Sequence, residues 1–155
     1  WGMCDGARVL DLFAGSGALG LEAASRGAAT VTLVERAGPA ARVCRENAAT
    51  LAASCPDTHI TTVQSSVGGY LGRAPFHRWD LVLVDPPYPL ENDELVRTLS
   101  LLRGRLGPGG VVVVERSART EEPVWPAGLR RFEVSDHGET RLWYLEAEDD
   151  AAAAE

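Results

Sequence analysis

Short apolar runs alternate along this chain with stretches whose apolar residues recur every three or four positions, the pattern of β-α-β units feeding a parallel sheet. Residues 8–13 read as a buried strand, followed by a glycine turn and a helix over about 17–26, with Gly27 just past its end. Residues 30–34 are a second strand. Ala40, Val43, Cys44, Asn47 and Leu51 then share one helical face, and Pro56 closes that helix. Residues 60–63 and 81–84 are the third and fourth strands. Leu95, Leu99, Leu102 and Leu106 give a helical stripe that the Gly107-Pro108-Gly109-Gly110 turn is expected to stop, and 111–115 form a fifth parallel strand. The alternation then breaks. Residues 120–128 hold three helix breakers and read as a loop, and 131–135 and 140–146 read as two strands joined through Asp136-His137-Gly138-Glu139.

Composition narrows the class without naming a chemistry. Of 155 residues, 45% are hydrophobic and 24% charged, the balance of a globular protein. The apolar runs 81–84 and 111–114 are too short to span a bilayer, so no membrane association is expected. With no charged and apolar leader before the first strand, a cytoplasmic location is expected. Cys4, Cys44 and Cys55 are odd in number and lack paired spacing, so they read as reduced thiols. His59, His77 and His137 are scattered, and no metal site is expected. Trp79, Trp125 and Trp143 read as packing residues.

The net charge of −7 is unusual for a protein that handles nucleic acid, where Lys and Arg normally supply affinity for phosphates. Every basic residue is arginine, and Arg73, Arg78, Arg130, Arg131 and Arg141 are the ones that could converge in space. Five acids lie within 146–155, and without them the charge is −2. Residues 1–146 are expected to form one domain, and 147–155 a disordered acidic tail. Because the chain opens at Trp1 with a strand only a few residues later, an N-terminal piece is expected to be missing.

Asp11-Leu12-Phe13-Ala14-Gly15-Ser16-Gly17-Ala18-Leu19-Gly20 follows a strand and opens a helix. Gly15 and Gly17 allow a tight turn and the close approach of a ligand. The Gly15-x-Gly17-x-x-Gly20 spacing also fits a dinucleotide fingerprint, with Glu35 placed 20 residues after Gly15. Two features favour S-adenosylmethionine instead. A carboxylate at Asp11, facing the ligand from the strand end, suits a cationic amino and sulfonium group and would repel a pyrophosphate. A dehydrogenase would also continue into another crossover, whereas here a terminal hairpin follows the fifth strand. Glu35 can accept from both ribose hydroxyls, and Phe13, Ala14, Ser16 and Arg36, which flank these positions, are expected to contact the cofactor as well. After the third strand, the Ser65 or Ser66 hydroxyl and the Val67 N–H are placed to meet an adenine ring.

Asp85-Pro86-Pro87-Tyr88 lies at the carboxyl end of the fourth strand, beside the first, where open α/β sheets bind ligands. A base amine is a poor nucleophile, because its lone pair is delocalised into the ring. Acceptors at the Asp85 carboxylate and the Pro86 carbonyl would favour a more tetrahedral nitrogen. Pro86 and Pro87 remove two competing donors and stiffen the corner, and Tyr88 offers a face on which a flipped-out base can stack. The plain alternative is that the tetrapeptide is only a rigid turn.

Residues 10–23, the Ser25-Arg26-Gly27-Ala28 step, and Leu83-Val84-Asp85-Pro86-Pro87-Tyr88 together resemble the RsmD-type 16S rRNA guanine-N2 methyltransferases. Val114-Glu115-Arg116 and His137-Gly138-Glu139-Thr140-Arg141 look like that family too, and the resemblance covers about residues 8–146. It implies an α/β fold with a class I methyltransferase, Rossmann-like sheet, mostly parallel with an antiparallel C-terminal hairpin. It implies S-adenosylmethionine as donor and the N2 amine of one guanine as acceptor, in 16S rRNA of a small-subunit assembly intermediate. Asp11, Gly15, Gly17 and Glu35 would contact the cofactor, and Asp85, Pro86 and Tyr88 would hold the guanine. The family usually has Asn or Asp where Ser66 stands, and its basic segment with a threonine-aspartate-arginine motif is not found before Trp1. A monomer is expected. Adenine-N6 methylation of DNA or RNA, a non-catalytic RNA-binding module and an NAD-dependent oxidoreductase are the competing readings.

Overall fold

The computed structural model describes residues 2–73 and 77–148. Strands β1 (Arg8–Asp11), β2 (Thr30–Glu35), β3 (His59–Gln64), β4 (Trp79–Val84) and β5 (Leu106–Ser117) are parallel, and β6 (Leu129–His137) and β7 (Thr140–Ala147) close the chain as a hairpin. The sheet order is β3-β2-β1-β4-β5-β7-β6, with β7 inserted antiparallel between β5 and β6. This is the α/β sheet with an antiparallel terminal hairpin that the class I reading requires.

Helices cover both faces, which explains why the central strands are apolar on both sides. Leu81, Leu83 and Val113 belong to one core beneath α1 (Ala18–Ser25) and α2 (Gly38–Ala52). Val82, Val84, Val112 and Val114 point the other way, into a core with α3 (Val67–Arg73) and α4 (Asn92–Ser100). Trp79 and Trp143 are buried, and Trp125 packs edge-on against Trp143 at 5.7 Å, so all three serve packing. The three cysteines are free. Among the described residues no helix is long and apolar enough to cross a membrane, and no cluster of His, Cys, Asp and Glu could hold a metal ion.

The tightest surroundings of any described glycine are at Gly20, where a Cβ would stand 2.3 Å from Leu33 Cδ2 and 3.2 Å from Asp11 Oδ2. The third glycine of the loop therefore lets α1 settle on β1 and β2. Gly20→Ala is expected to destabilise the protein by about 1–3 kcal/mol through overpacking, read as a lowered denaturant midpoint. An unchanged midpoint would show that the helix can shift without cost.

Several elements differ from the sequence expectation. The first strand stops at Asp11 instead of reaching Phe13. The face of α2 is rotated: Ala41, Cys44 and Ala48 are buried while Val43 is exposed, because small residues fit the narrow gap over the sheet. Helix α4 ends at Ser100, and Leu106 already belongs to β5, paired with Trp79. The expected Gly107–Gly110 turn is a bulge inside β5, between the pairs Trp79↔Leu106 and Leu81↔Val111. Helix α3 was not anticipated: Gly68, Gly69 and Gly72 lower its helix propensity. Tertiary burial of Val67 and Leu71, together with the Ser66 hydroxyl accepting the Gly69 N–H at 3.0 Å, holds it. The hairpin loop is only Gly138-Glu139, with Gly138 at φ +64° as the first position of a tight turn favours. Strand β7 extends to Ala147, and the Glu148 N–H donates to the Gly128 carbonyl, so 147 and 148 are ordered and not part of a tail. Trp1 and the rest of the expected tail lie outside the described residues.

Candidate active site

The glycine turn, Glu35, Ser65 to Val67 and the Asp85-Pro86-Pro87-Tyr88 corner all lie at the carboxyl edge of the sheet, where β1, β2, β3 and β4 end. That edge opens into a cleft of about 750 Å³. Its floor is the glycine turn after β1, which is drawn toward the end of β2 by Glu35. The Gly15 N–H donates to Glu35 Oε1 at 3.0 Å, and the Ala37 N–H donates to Oε2 at 2.6 Å. Each carboxylate oxygen keeps further lone-pair capacity, which is what a vicinal diol would engage. Gly15 has φ +56°, and its missing Cβ would have met nothing within 4 Å.

Of the expected cofactor residues, Phe13, Gly15, Glu35, Arg36, Ser66 and Val67 line this cleft. Asp11, Ala14, Ser16 and Gly17 do not. Asp11 corrects the expectation most sharply. It is only 1% exposed, its Oδ2 accepts the Gly20 N–H at 3.0 Å, and its Oδ1 is buried without a partner. The carboxylate faces the first turn of α1 instead of the cleft, because β1 ends at Asp11 and the chain turns away immediately after it. Burial raises its pKa to about 7 against the pull of the Gly20 N–H, and the nearby Asp85 and Glu35 charges add to the rise. Gly17, at φ +88°, is the cap of α1, and a Cβ there would lie 3.0 Å from Cys44 Sγ. Ser16 offers its carbonyl to the Asn47 side chain at 2.9 Å. These four residues shape the loop from behind.

The Ser66 hydroxyl caps α3, so it presents a partly used oxygen to the cleft. Val67 opens the helix, and its N–H, as the first of the helix, has no intrahelical acceptor. Leu90, Glu94 and Thr98 close the opposite wall. None of the three carries a motif, and the apolar spacing of α4 signals only its buried Leu95 and Leu99 face.

Asp85 and Pro86 form a wall shared by this cleft and a second one, of about 350 Å³, over the ends of β5 and β7. Pro87 lines only the first, and Tyr88 only the second. Tyr88 is 87% exposed, so its ring is packed against nothing that would keep a planar ligand away. Asp85 is exposed on one side, and the partial burial of its carboxyl raises its pKa from the ordinary aspartate value. The Leu90 N–H donates to the Pro87 carbonyl at 3.0 Å, whereas no hydrogen bond among the described residues uses the Pro86 carbonyl. The second cleft also takes in Glu115, Arg116, Ser117, Thr120, Glu139 and Thr140. Arg116 ties this region together by donating through Nη2 to the Leu90 carbonyl and to Asn92 Oδ1.

The expected arginine convergence is not a free basic patch. Arg130, Arg131 and Arg141 are ion-paired with Glu146, Glu122 and Asp136, and Arg73 donates to the Gly69 carbonyl and the Ser65 hydroxyl.

Residues 2–146 match the family model described as conserved hypothetical protein 95. Ribosomal RNA small subunit methyltransferase D of Escherichia coli strain K12 is 35% identical over 151 residues, which is 95% of this chain and 73% of that protein. A conserved hypothetical protein of Streptococcus pyogenes superposes with a TM-score of 0.79 at 30% identity, covering 93% of this chain and 88% of that one. TrmN of Thermus thermophilus gives a TM-score of 0.71 at 26% identity, over 93% of this chain and 45% of its own.

Proposed function

This chain belongs to the RsmD-type methyltransferase family, and from that premise we propose that it moves a methyl group from S-adenosylmethionine to the exocyclic N2 amine of a guanine in small-subunit ribosomal RNA. The observation that carries the reading is the Asp85–Pro86 wall. One corner with two acceptors borders both a large cleft built on the glycine turn and a smaller cleft opening beside Tyr88. A donor on one side and an acceptor on the other would meet at that wall.

The larger cleft fits the donor chemically. Glu35 would hold the ribose hydroxyls, Leu12, Phe13, Val67 and Leu90 offer apolar surface for a purine, and the glycine turn removes side chains from the approach. When bound, S-adenosylmethionine supplies an electrophilic methyl on a sulfonium whose departure drives the transfer. The protein contributes position. Asp85 and the Pro86 carbonyl each accept one N–H of the base amine, which aims the nitrogen lone pair across the corner. The raised pKa of Asp85 suits it to take the proton that the amine sheds after transfer. Tyr88 stacks on the base taken out of its helix, a contact of about 1–3 kcal/mol.

Calorimetry with S-adenosylhomocysteine and with NAD tests the cofactor assignment, and tighter binding of NAD would overturn it. Glu35→Ala should weaken S-adenosylhomocysteine by about 1–3 kcal/mol, since the ribose hydroxyls and the Gly15 and Ala37 N–H groups lose their acceptor. The base is identified by methylating unmodified small-subunit particles and resolving the product nucleosides by mass spectrometry. N6-methyladenosine in place of N2-methylguanosine would overturn the substrate assignment.

A further inference from the structure

We infer that Glu115, which lines the second cleft, reads the N1–H of the target base and thereby selects guanine over the other amine-bearing bases. The inference rests on the corner acting on a base amine, and it deepens that reading by naming the residue that chooses the base.

The sheet register brings the two acids together. Val84, the last residue of β4, is paired with Val114 of β5, so Asp85 just past β4 stands beside Glu115 of β5, with parallel strands about 4.8 Å apart. Both line the second cleft. Glu115 is half-buried, and among the described residues its carboxylate accepts no hydrogen bond and forms no ion pair. Its neighbour Arg116 forms no ion pair with it, and donates instead through Nη2 to the Leu90 carbonyl and Asn92 Oδ1. Desolvation, then the Asp85 charge, raise the Glu115 pKa, and His137 partly offsets them. A partly desolvated acceptor without a donor is costly to maintain for stability alone. Its position in the cleft supplies a use.

Base chemistry makes the choice sharp. Adenine, cytosine and guanine all carry an exocyclic amine that Asp85 and the Pro86 carbonyl could hold. Only in guanine does a ring nitrogen beside that amine, N1, carry a hydrogen to donate; in adenine and cytosine the one ring nitrogen beside the amine is an acceptor with a lone pair. A second carboxylate beside the amine site therefore gains a charge-assisted hydrogen bond from guanine and meets lone-pair repulsion from the other two. A site built to accept a particular N–H rejects analogues that lack it much more strongly than a shape difference would.

The test uses the protein saturated with S-adenosylhomocysteine and three probes, GMP, IMP and AMP, with binding followed by NMR. IMP keeps the N1–H and lacks the amine, and AMP keeps an amine and lacks the N1–H. Wild type should bind GMP, bind IMP more weakly, and bind AMP least. Glu115→Ala should cut GMP affinity by about 10- to 100-fold and erase the GMP-over-AMP preference, while S-adenosylhomocysteine affinity and thermal midpoint stay unchanged. The same variant should lose N2-methylguanosine formation on small-subunit particles by a comparable factor. If it keeps the wild-type preference for GMP over AMP, Asp85 alone reads both N–H groups and the assignment to Glu115 is wrong. Equal wild-type binding of GMP and AMP, or no binding of either, also overturns it. Formation of N6-methyladenosine by wild type would instead overturn the guanine reading itself, so the two failures are separable.

Discussion

Asp85→Ala is expected to lower methyl transfer to small-subunit RNA by at least about a hundredfold, with S-adenosylhomocysteine affinity within about twofold of wild type. The side chain borders both clefts and, with the Pro86 carbonyl, supplies an acceptor at their common wall. Its removal costs orientation of the nucleophile and the group that receives the proton, contributions made mainly in the transition state and worth about 10²–10⁴ in rate. The cofactor's proposed anchors, Glu35 and the glycine turn, are untouched. Asp85→Asn retains an acceptor oxygen without the charge and should fall between the two. Single-turnover rates with saturating cofactor measure the effect, and wild-type turnover by Asp85→Ala would mean that the corner is only a rigid turn. A parallel loss of cofactor affinity would instead place Asp85 in the binding site of the donor.

The second large effect concerns stability and pH. Asp11 is buried with one unpartnered oxygen, and its pKa rises from 3.8 to about 7 in the folded chain. An acid whose folded pKa lies above its unfolded one favours folding in its protonated form. Its contribution is fully present below about pH 4 and is lost as pH rises through about 7. At about 1.4 kcal/mol per unit, the loss across that window amounts to a few kcal/mol. Asp11→Asn should remove this component, so that its denaturant midpoint changes less than wild type's between pH 4 and pH 7. Comparing the variant with wild type isolates Asp11 from the other acids. Identical pH profiles for the two proteins would show that the carboxylate is solvated or paired when the chain is in solution.

The arrangement of strands and helices was readable because burial on both sheet faces forces continuous apolar runs, and because glycine and proline mark where those runs stop. The five parallel strands and the closing hairpin were expected close to where they lie. Helix α3 was not, since its three glycines argue against a helix and only burial of Val67 and Leu71 overrides them. The Leu106 stripe misled for a related reason. Leu95, Leu99, Leu102 and Leu106 are all buried in one core, yet apolar spacing alone could not reveal that the last of them enters it from a strand.

For the site, the chain's own order determined the chemistry available: a glycine turn, an acid at the end of β2, and an acid-proline corner at the end of β4. These are local features, encoded within a few consecutive residues, and Glu35 and Asp85 stand where the sequence places them. Which side chains face a common space is a different kind of fact, set by strand register and by where each strand stops. Ending β1 at Asp11 turns that carboxylate inward to hold Gly20, behind the cleft instead of lining it. Pairing Val84 with Val114 brings Glu115, thirty residues away in sequence, beside Asp85 and opens a second cleft there. Local backbone preferences carry no information about such meetings, because they arise only when distant strands hydrogen-bond in one register and no other.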